Sequence, residues 1–295
     1  MSISKINSYA KINLSLGVLG KLKNKLHRIE SLVSFIDLHD EISIQQINKK
    51  KHKVFFYGRF SKNIPNKNTI SKLLELLDRQ NFLKNKKYLI KIKKNKKILE
   101  IINKIKKNIP LKSGMGGGSM NASSVLRYFI NKNKLLLNTS QISQMANKIG
   151  SDVMLGIEKK NLILQGNRKL FRSNKKIGLY TIIIKPNFGY STEKIYKNIK
   201  SFSKPALNKN KNKLFSVSNI ISLKNDLEKV AFKKYPFLAN IKQNMLNLPK
   251  VKFVRMTGSG SSLLAYFNSK KASLNAAKLL KKKYKNYWCI LSKTI

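Results

Sequence analysis

The segment Pro110-Leu111-Lys112-Ser113-Gly114-Met115-Gly116-Gly117-Gly118-Ser119-Met120 carries four glycines in five positions and leads into an apolar-patterned stretch. Glycine admits backbone conformations closed to other residues. Free N–H groups at a helix start, with the positive end of the helix dipole, attract anions. The segment therefore reads as a phosphate cradle; a flexible linker, the plainer alternative, does not usually run straight into an amphipathic helix. No Gly-Lys-Ser/Thr closes it, so it is not a Walker loop. With glycines at 114 and 116, a Rossmann or protein-kinase loop would place its third at 119, where serine stands. Asp152 follows in the uncharged stretch Ile149-Gly-Ser-Asp-Val153. It could satisfy local backbone or act as an acid–base group, and its neighbours do not decide between the two. Lys11, mid-strand in Ala10-Lys-Ile-Asn-Leu14, is one of 62 Lys plus Arg and by itself says nothing.

Regular elements must hold these groups. Apolar alternation predicts strand over 6–19, a bent strand or strand pair over 31–44, and a short strand at Lys53–Tyr57. Ile70, Leu73, Leu74 and Leu77 predict a helix over 69–79, and Ala122, Val125, Leu126 and Phe129 another from 119. A helix over 140–149 is expected to start at Ser140 as N-cap and stop at Gly150. A strand is expected within 81–108, where the pentapeptide KIKKN occurs at 91–95 and again at 104–108. The period does not continue, so this reads as low-complexity expansion. Later come strands at Asn161–Leu164 and Leu179–Ile184, a polar loop at 203–214, and helical stretches near 219–232 and 236–246. A strand (251–256), the turn Gly258-Ser259-Gly260-Ser261, a strand (263–267), a helix (270–283) and a strand (287–292) close the chain. Helices and strands mix without regular alternation, which predicts α+β, with domains 1–160 and 161–295.

Composition narrows the function. The 295 residues, 42% hydrophobic, suffice for a sizeable core. No apolar run has the length of a membrane span and residues 1–10 lack a signal-peptide core, so a cytoplasmic protein without membrane association is expected. Three histidines and one cysteine exclude a His-rich metal site or a zinc finger. Cys289, beside Trp288, reads as a buried strand residue; His39 and His52 read as ordinary surface residues. The formal charge of +50 suggests nucleic acid. Yet the lysines run the whole length and lack the interleaved aromatics of a stacking platform. They read as solvated surface charge whose field draws in anionic substrates.

Ala10-Lys-Ile-Asn-Leu14, the loop Gly114–Ala122, Gly150-Ser-Asp152-Val and Met256-Thr-Gly-Ser-Gly260 stand in the order and approximate spacing of the GHMP kinases, and the chain resembles that family over nearly its whole length. The resemblance implies an α+β, two-lobed fold with a ribosomal-protein-S5-like N-terminal lobe and a ferredoxin-like C-terminal lobe. It implies ATP and Mg²⁺ as cofactors, and a monomer or homodimer. The AKINL start, with Lys185-Pro-Asn-Phe-Gly and the Tyr196 segment, is similar to the branch that phosphorylates a methylerythritol linked to cytidine diphosphate.

By that resemblance Asp152 takes the substrate hydroxyl proton, and Lys11 keeps Asp152 ionised and stabilises phosphoryl charge. Pro110, Leu111, Lys112, Ser113, Gly114, Met115, Gly116, Gly117, Gly118, Ser119 and Met120 wrap the ATP phosphates, with Ser119 a candidate metal contact. Asn68 sits near adenine. Asn13 and His27 recognise the cytidine end, Tyr196 stacks on the base, and Gly258, Ser259 and Gly260 approach substrate or phosphates. Before His27 the family usually has Asp-Gly-Tyr, whereas this chain reads Asn24-Lys25-Leu26. The base thereby loses one aromatic partner, about 0.5–1.5 kcal/mol. Two other readings stay open at this point: a kinase of this family for another small alcohol, and a basic nucleic-acid-binding relative without activity.

Overall fold

A computed structural model describes residues 2–23, 26–93, 96–98, 105–107, 109–132, 135, 137–166, 169–189, 191–208, 211 and 213–295. In chain order come β1 (Ile3–Asn13), β2 (Gly17–Lys21), β3 (His27–Ile47), β4 (Lys53–Tyr57), α1 (Thr69–Arg79), β5 (Lys87–Lys93), β6 (Lys96–Ile98) and β7 (Ile105–Lys107). Next are α2 (Gly117–Lys132), α3 (Thr139–Ile149), a 3-10 turn (Val153–Gly156), β8 (Asn161–Gln165), β9 (Lys169–Ser173) and β10 (Tyr180–Lys185). The last part holds α4 (Thr192–Tyr196), α5 (Val217–Ser222), α6 (Leu227–Lys234), α7 (Pro236–Leu246), β11 (Phe253–Met256), β12 (Leu263–Phe267), α8 (Lys270–Lys283) and β13 (Trp288–Lys293).

The chain divides into two compact units that interleave in sequence. One comprises Met1–Ala10, Leu38–Pro110 and Gly116–Lys159, the other Lys11–Asp37, Leu111–Met115 and Lys160–Ile295. In the first unit the C-terminal half of β3 pairs antiparallel with β5, and β4 runs parallel to β5. The helices cover this sheet as their periodicity requires. Ile70, Leu73, Leu74 and Leu77 of α1 and Ala122, Val125, Leu126 and Phe129 of α2 pack with Ile42, Ile44, Ile90 and Ile92. Full burial of each large apolar side chain contributes ~1.5–3 kcal/mol. In the second unit the N-terminal half of β3 pairs with β2 and β8, and β8 with β9. A separate antiparallel sheet in the order β11-β12-β10-β13 buries Ile182, Ile184, Val254, Met256, Leu263 and Ala265 against α6, α7 and α8.

Several expectations need correction. The strand over 31–44 is one continuous strand, β3. The run 6–19 is two strands, because the chain turns between Asn13 and Gly17. The N-cap of α3 is Asn138, not Ser140: the Asn138 side chain accepts from Gln141 N at 2.9 Å, and the Gln141 side chain accepts from Asn138 N at 2.9 Å. This reciprocal box satisfies two donors that Ser140 would leave open. The helix expected over 219–232 is interrupted between α5 and α6, where residues 223–226 take other work. β9 was not expected. The strand expected in 81–108 is β5; parts of the KIKKN repeat, and Asn24 and Lys25, lie outside the described residues. His52 is not an ordinary surface residue, since it bonds the Asp78 carboxylate at 3.0 Å and accepts from Tyr88 N at 2.9 Å. His39 is half-buried, with its ring 5.2 Å from that of Tyr9.

Candidate active site

Side chains alternate across a strand, so Lys11 and Asn13 share one face of β1. Both are buried, Lys11 at 5% exposure. Lys11 Nζ donates to Asn13 Oδ1 at 2.7 Å. Asn13 Nδ2 donates to Ser31 Oγ at 2.7 Å, and Ser31 Oγ to the Ser15 carbonyl at 2.5 Å. This relay fixes which way the Asn13 amide faces, and so aims its oxygen at the ammonium. Among the described basic residues only Lys11, Lys185 and Arg255 are buried. Burial thus separates Lys11 from the many solvated lysines.

The same strand end is held on its backbone. Lys11 N donates to the Met115 carbonyl at 3.2 Å, and Asn13 N to Thr257 Oγ1 at 2.9 Å. Lys112–Gly114 therefore lies against the turn Thr257–Gly260 in this unit. The approach at Gly114 is extreme: at φ +77° its missing Cβ would sit 2.1 Å from the Thr257 carbonyl oxygen. Arg255 donates to the carbonyls of Leu14 at 2.5 Å and Ile220 at 2.9 Å, tying the exit of β1 to α5.

His27 and Tyr196 come together, their ring centroids 5.0 Å apart. His27 Nε2 is buried and has no hydrogen-bond partner. Burial, then the nearby Lys21 charge, lowers the His27 pKa, which favours the neutral ring. Leu26 is half exposed beside it. Between β10 and α4, Lys185 Nζ donates to the carbonyls of Pro186 at 2.9 Å and Phe188 at 3.1 Å. Burial lowers its pKa. Thr192 and Ser259 hydroxyls meet at 2.7 Å.

In the other unit α2 starts at Gly117, so the last two glycines of the loop form its first turn. The first intrahelical bond runs from Met120 N to the Gly116 carbonyl at 2.8 Å. The N–H groups of residues 117–119 thus precede the helical ladder and can serve an anion. Thr69 Oγ1 donates to the Gly118 carbonyl at 2.8 Å, joining the start of α1 to this turn. Asn68 caps α1: its Oδ1 accepts from Ile70 N at 3.0 Å and Ser71 N at 3.1 Å, and its Nδ2 donates to Pro65 and Asn66 carbonyls.

The Asp152 segment packs on the first turns of α2. The Ser123 hydroxyl lies within hydrogen-bond reach of the Ser119 carbonyl, at 2.9 Å, and of the Val153 carbonyl, its one proton serving either. A Cβ on Gly156 would meet Ser123 Oγ at 2.8 Å and Met120 Sδ at 2.9 Å. Asp152 stands at the cap position of the 3-10 turn, but its side chain makes no capping bond. Gly150, two residues earlier, faces Ser119, with its missing Cβ 3.7 Å from Ser119 Oγ.

Asn225, Ser31 and Asp40 belong to none of the sequence motifs, and Thr257 enters only as part of Met256–Gly260. Asp40, fully buried on β3, accepts from Asn121 Nδ2 at 3.0 Å and Ile109 N at 3.5 Å, on either side of the glycine loop. The acid pair Asp37 and Asp40 in an acid-poor chain was the available signal for it. Asn225, in a chain rich in asparagine, offered none.

Among the described residues no three His, Cys, Asp or Glu side chains gather as a metal cage. Mg²⁺ does not require one, since it takes one or two protein oxygens together with phosphate oxygens and water. A serine hydroxyl at the head of α2, beside the segment that carries Asp152, is a donor set that fits it.

The profile of the GHMP kinases N terminal domain matches residues 68–159, and that of the GHMP kinases C terminal region matches 203–286. The chain is 52% identical over 295 residues, 100% of both chains, to a 4-diphosphocytidyl-2-C-methyl-D-erythritol kinase of Pelagibacter ubique. The chain belongs to the GHMP kinase family. A Clostridium perfringens kinase of the same name is 30% identical, over 99% of this chain and 98% of its own. A crystal structure of a 4-(cytidine 5'-diphospho)-2C-methyl-D-erythritol kinase superposes with a TM-score of 0.76 at 19% identity, over 98% of this chain and 99% of that one. A homoserine kinase from Cytophaga hutchinsonii superposes with a TM-score of 0.69 at 17% identity, over 100% and 95%. At such identities the solved structures speak for the fold, and the expected α+β GHMP kinase fold is the one found. Membership makes the protein a small-molecule kinase that uses ATP. Among the described residues no helix is long and apolar enough to cross a membrane.

Proposed function

We propose that the protein transfers the γ-phosphoryl group of ATP to the 2-hydroxyl of 4-diphosphocytidyl-2-C-methyl-D-erythritol, a step of non-mevalonate isoprenoid precursor synthesis in the cytoplasm. The observation that carries the substrate is the 52% identity, end to end, to the Pelagibacter ubique kinase. The geometry supports the roles. The His27–Tyr196 ring pair offers a ring face to a cytosine. Leu26, half exposed, gives apolar contact where an aromatic would stack. Asn13 is held rigidly enough to read one hydrogen-bond pattern.

For the reaction, Asp152 takes the hydroxyl proton as the oxygen attacks the γ-phosphorus in line, and ADP leaves with the electrons of the broken P–O bond. A carboxylate on the segment packed against the head of α2 suits the base. Lys11 supplies fixed positive charge for the transferring group, the main requirement of phosphoryl transfer. The N–H groups at the head of α2 and residues Pro110–Met120 cradle the phosphates. The loop carrying Asn68 stands at the adenine. Gly258, Ser259 and Gly260 face the reacting groups. Mg²⁺, when bound with ATP, neutralises phosphate charge, and Ser119 would hold it. Domains 1–160 and 161–295 would divide nucleotide binding from the C-terminal contribution.

The test is ADP release with MgATP and the cytidine-linked alcohol, beside the same alcohol without cytidine. Turnover should require the cytidine, and Asp152→Asn should remove nearly all of it while ATP still binds. Equal turnover on the bare alcohol would overturn the substrate. An active Asp152→Asn would overturn the base.

A further inference from the structure

Asn225 lies between α5 and α6, at 3% exposure, and each of its polar side-chain atoms is engaged. Its Oδ1 accepts from Leu227 N at 3.0 Å, opening α6. Its Nδ2 donates to the Met256 carbonyl and to the Gly258 carbonyl, both at 2.8 Å. The flanking backbone is also fixed: Leu16 N donates to the Lys224 carbonyl and Asp226 N to the Leu16 carbonyl, each at 2.9 Å. The Asn225 segment thus grips the chain just past Asn13 and clamps both sides of Thr257, whose hydroxyl receives Asn13 N.

We infer that Asn225 is a positioning residue for phosphoryl transfer, holding the turn Thr257–Gly260 in register with Asn13 and Gly114. The residue type carries the argument. A cap needs only an oxygen acceptor, and aspartate caps as well as asparagine. The two carbonyls need donors, which only the amide supplies. An aspartate would keep the cap and point an anionic oxygen at two buried carbonyl oxygens. With Gly258 at φ +56° and its missing Cβ 3.1 Å from the Gly114 carbonyl oxygen, the turn has no slack to absorb that repulsion. The displacement would reach the glycine loop and Asn13 together.

This inference rests on the proposed role of the turn and of Asn13. The experiment compares Asn225→Asp, Asn225→Ala and Asn225→Ser by steady-state kinetics on the cytidine-linked alcohol, with circular dichroism and melting temperature on each. Misplacement of a reacting group by 1 Å costs about 10²-fold. The expected order of loss in kcat/KM is Asn225→Asp worst, by about 10–100-fold at that scale. A residue that only caps α6 predicts the reverse order, with Asn225→Asp near wild type and Asn225→Ala worst; that result overturns the inference. Should Asn225→Asp not fold, Asn225→Ser decides, because serine keeps the cap and loses the paired donors. Its kcat/KM at the wild-type value would overturn the inference, and a fall with unchanged helix content would uphold it. Wild-type protein without turnover would overturn the functional reading itself, and is measured first.

Discussion

Replacing Gly114 by alanine acts on a single atom whose surroundings are known. The new Cβ would lie 2.1 Å from the Thr257 carbonyl oxygen and 3.1 Å from that of Gly260. Contact between such atoms ordinarily begins beyond 3 Å, so either the loop or the turn must move by about 1 Å, a displacement that costs about 10²-fold in rate when it moves reacting groups. The φ of +77° adds about 1–2 kcal/mol of left-handed strain. Gly178→Ala separates the two effects. Its φ is +74°, but nothing lies within 4 Å of the added atom, so it bears the strain alone. ADP release and thermal melting are measured on both. Gly178→Ala should melt a few degrees lower, about 2–4 °C per kcal/mol, with unchanged kcat/KM. Gly114→Ala should lose about 10²-fold in kcat/KM as a folded protein. Wild-type kcat/KM in Gly114→Ala would refute the claim that the loop and the turn Thr257–Gly260 form one rigid element of the site.

Two further predictions concern titrating groups outside the site. Burial alone would raise the Asp78 pKa, but hydrogen bonds from Lys87 and His52 together with their charges outweigh it and hold it below the usual carboxylate value. A depressed native pKa gives stability that is present above the unfolded value, about 3.9, and lost as pH falls through the native one. Asp78→Asn should therefore destabilise the protein at neutral pH, with the difference shrinking below about pH 4; a constant difference on chemical denaturation down to acid pH would contradict this. Burial pushes the Cys289 thiol up to about 11, against a small opposing effect of the Lys281 charge. Alkylation of native protein at neutral pH should be slow and should accelerate on unfolding; rapid labelling of folded protein would show the thiol to be exposed.

What sequence could and could not reveal follows from the range of the forces involved. Helices α1, α2 and α8 were legible because their apolar faces repeat every turn and the core reads the same repeat. The α3 cap was misplaced because Asn138 and Ser140 are equally plausible caps by type, and only the reciprocal bond with Gln141 decides. The glycine loop was legible as a loop, yet why Gly114 must be glycine was not. Its constraint comes from Thr257, far away in the chain. Composition hides Lys11 among so many lysines, so only the family resemblance singled it out; burial sets it apart in the structure. Asn13 was reached through a family resemblance, and the relay through Ser31 that orients it had no local signature.

The twelve acids make a last argument about charge. Glu30 accepts from Ala206 N, Asp37 from the Ser292 hydroxyl and Asp226 from Val18 N. Glu228 accepts from Met256 N and pairs with Lys242, while Asp40 holds Asn121 and Asp78 pairs with His52 and Lys87. Half of the acids therefore satisfy buried or half-buried donors that would otherwise be costly. On the surface, by contrast, an ion pair such as Glu193 with Lys197 adds little. Among the described basic residues all but Lys11, Lys185 and Arg255 are at least partly exposed, so their charge lies in the solvated shell. A protein whose proposed substrates are both polyanions gains encounter rate from the field such a charge creates.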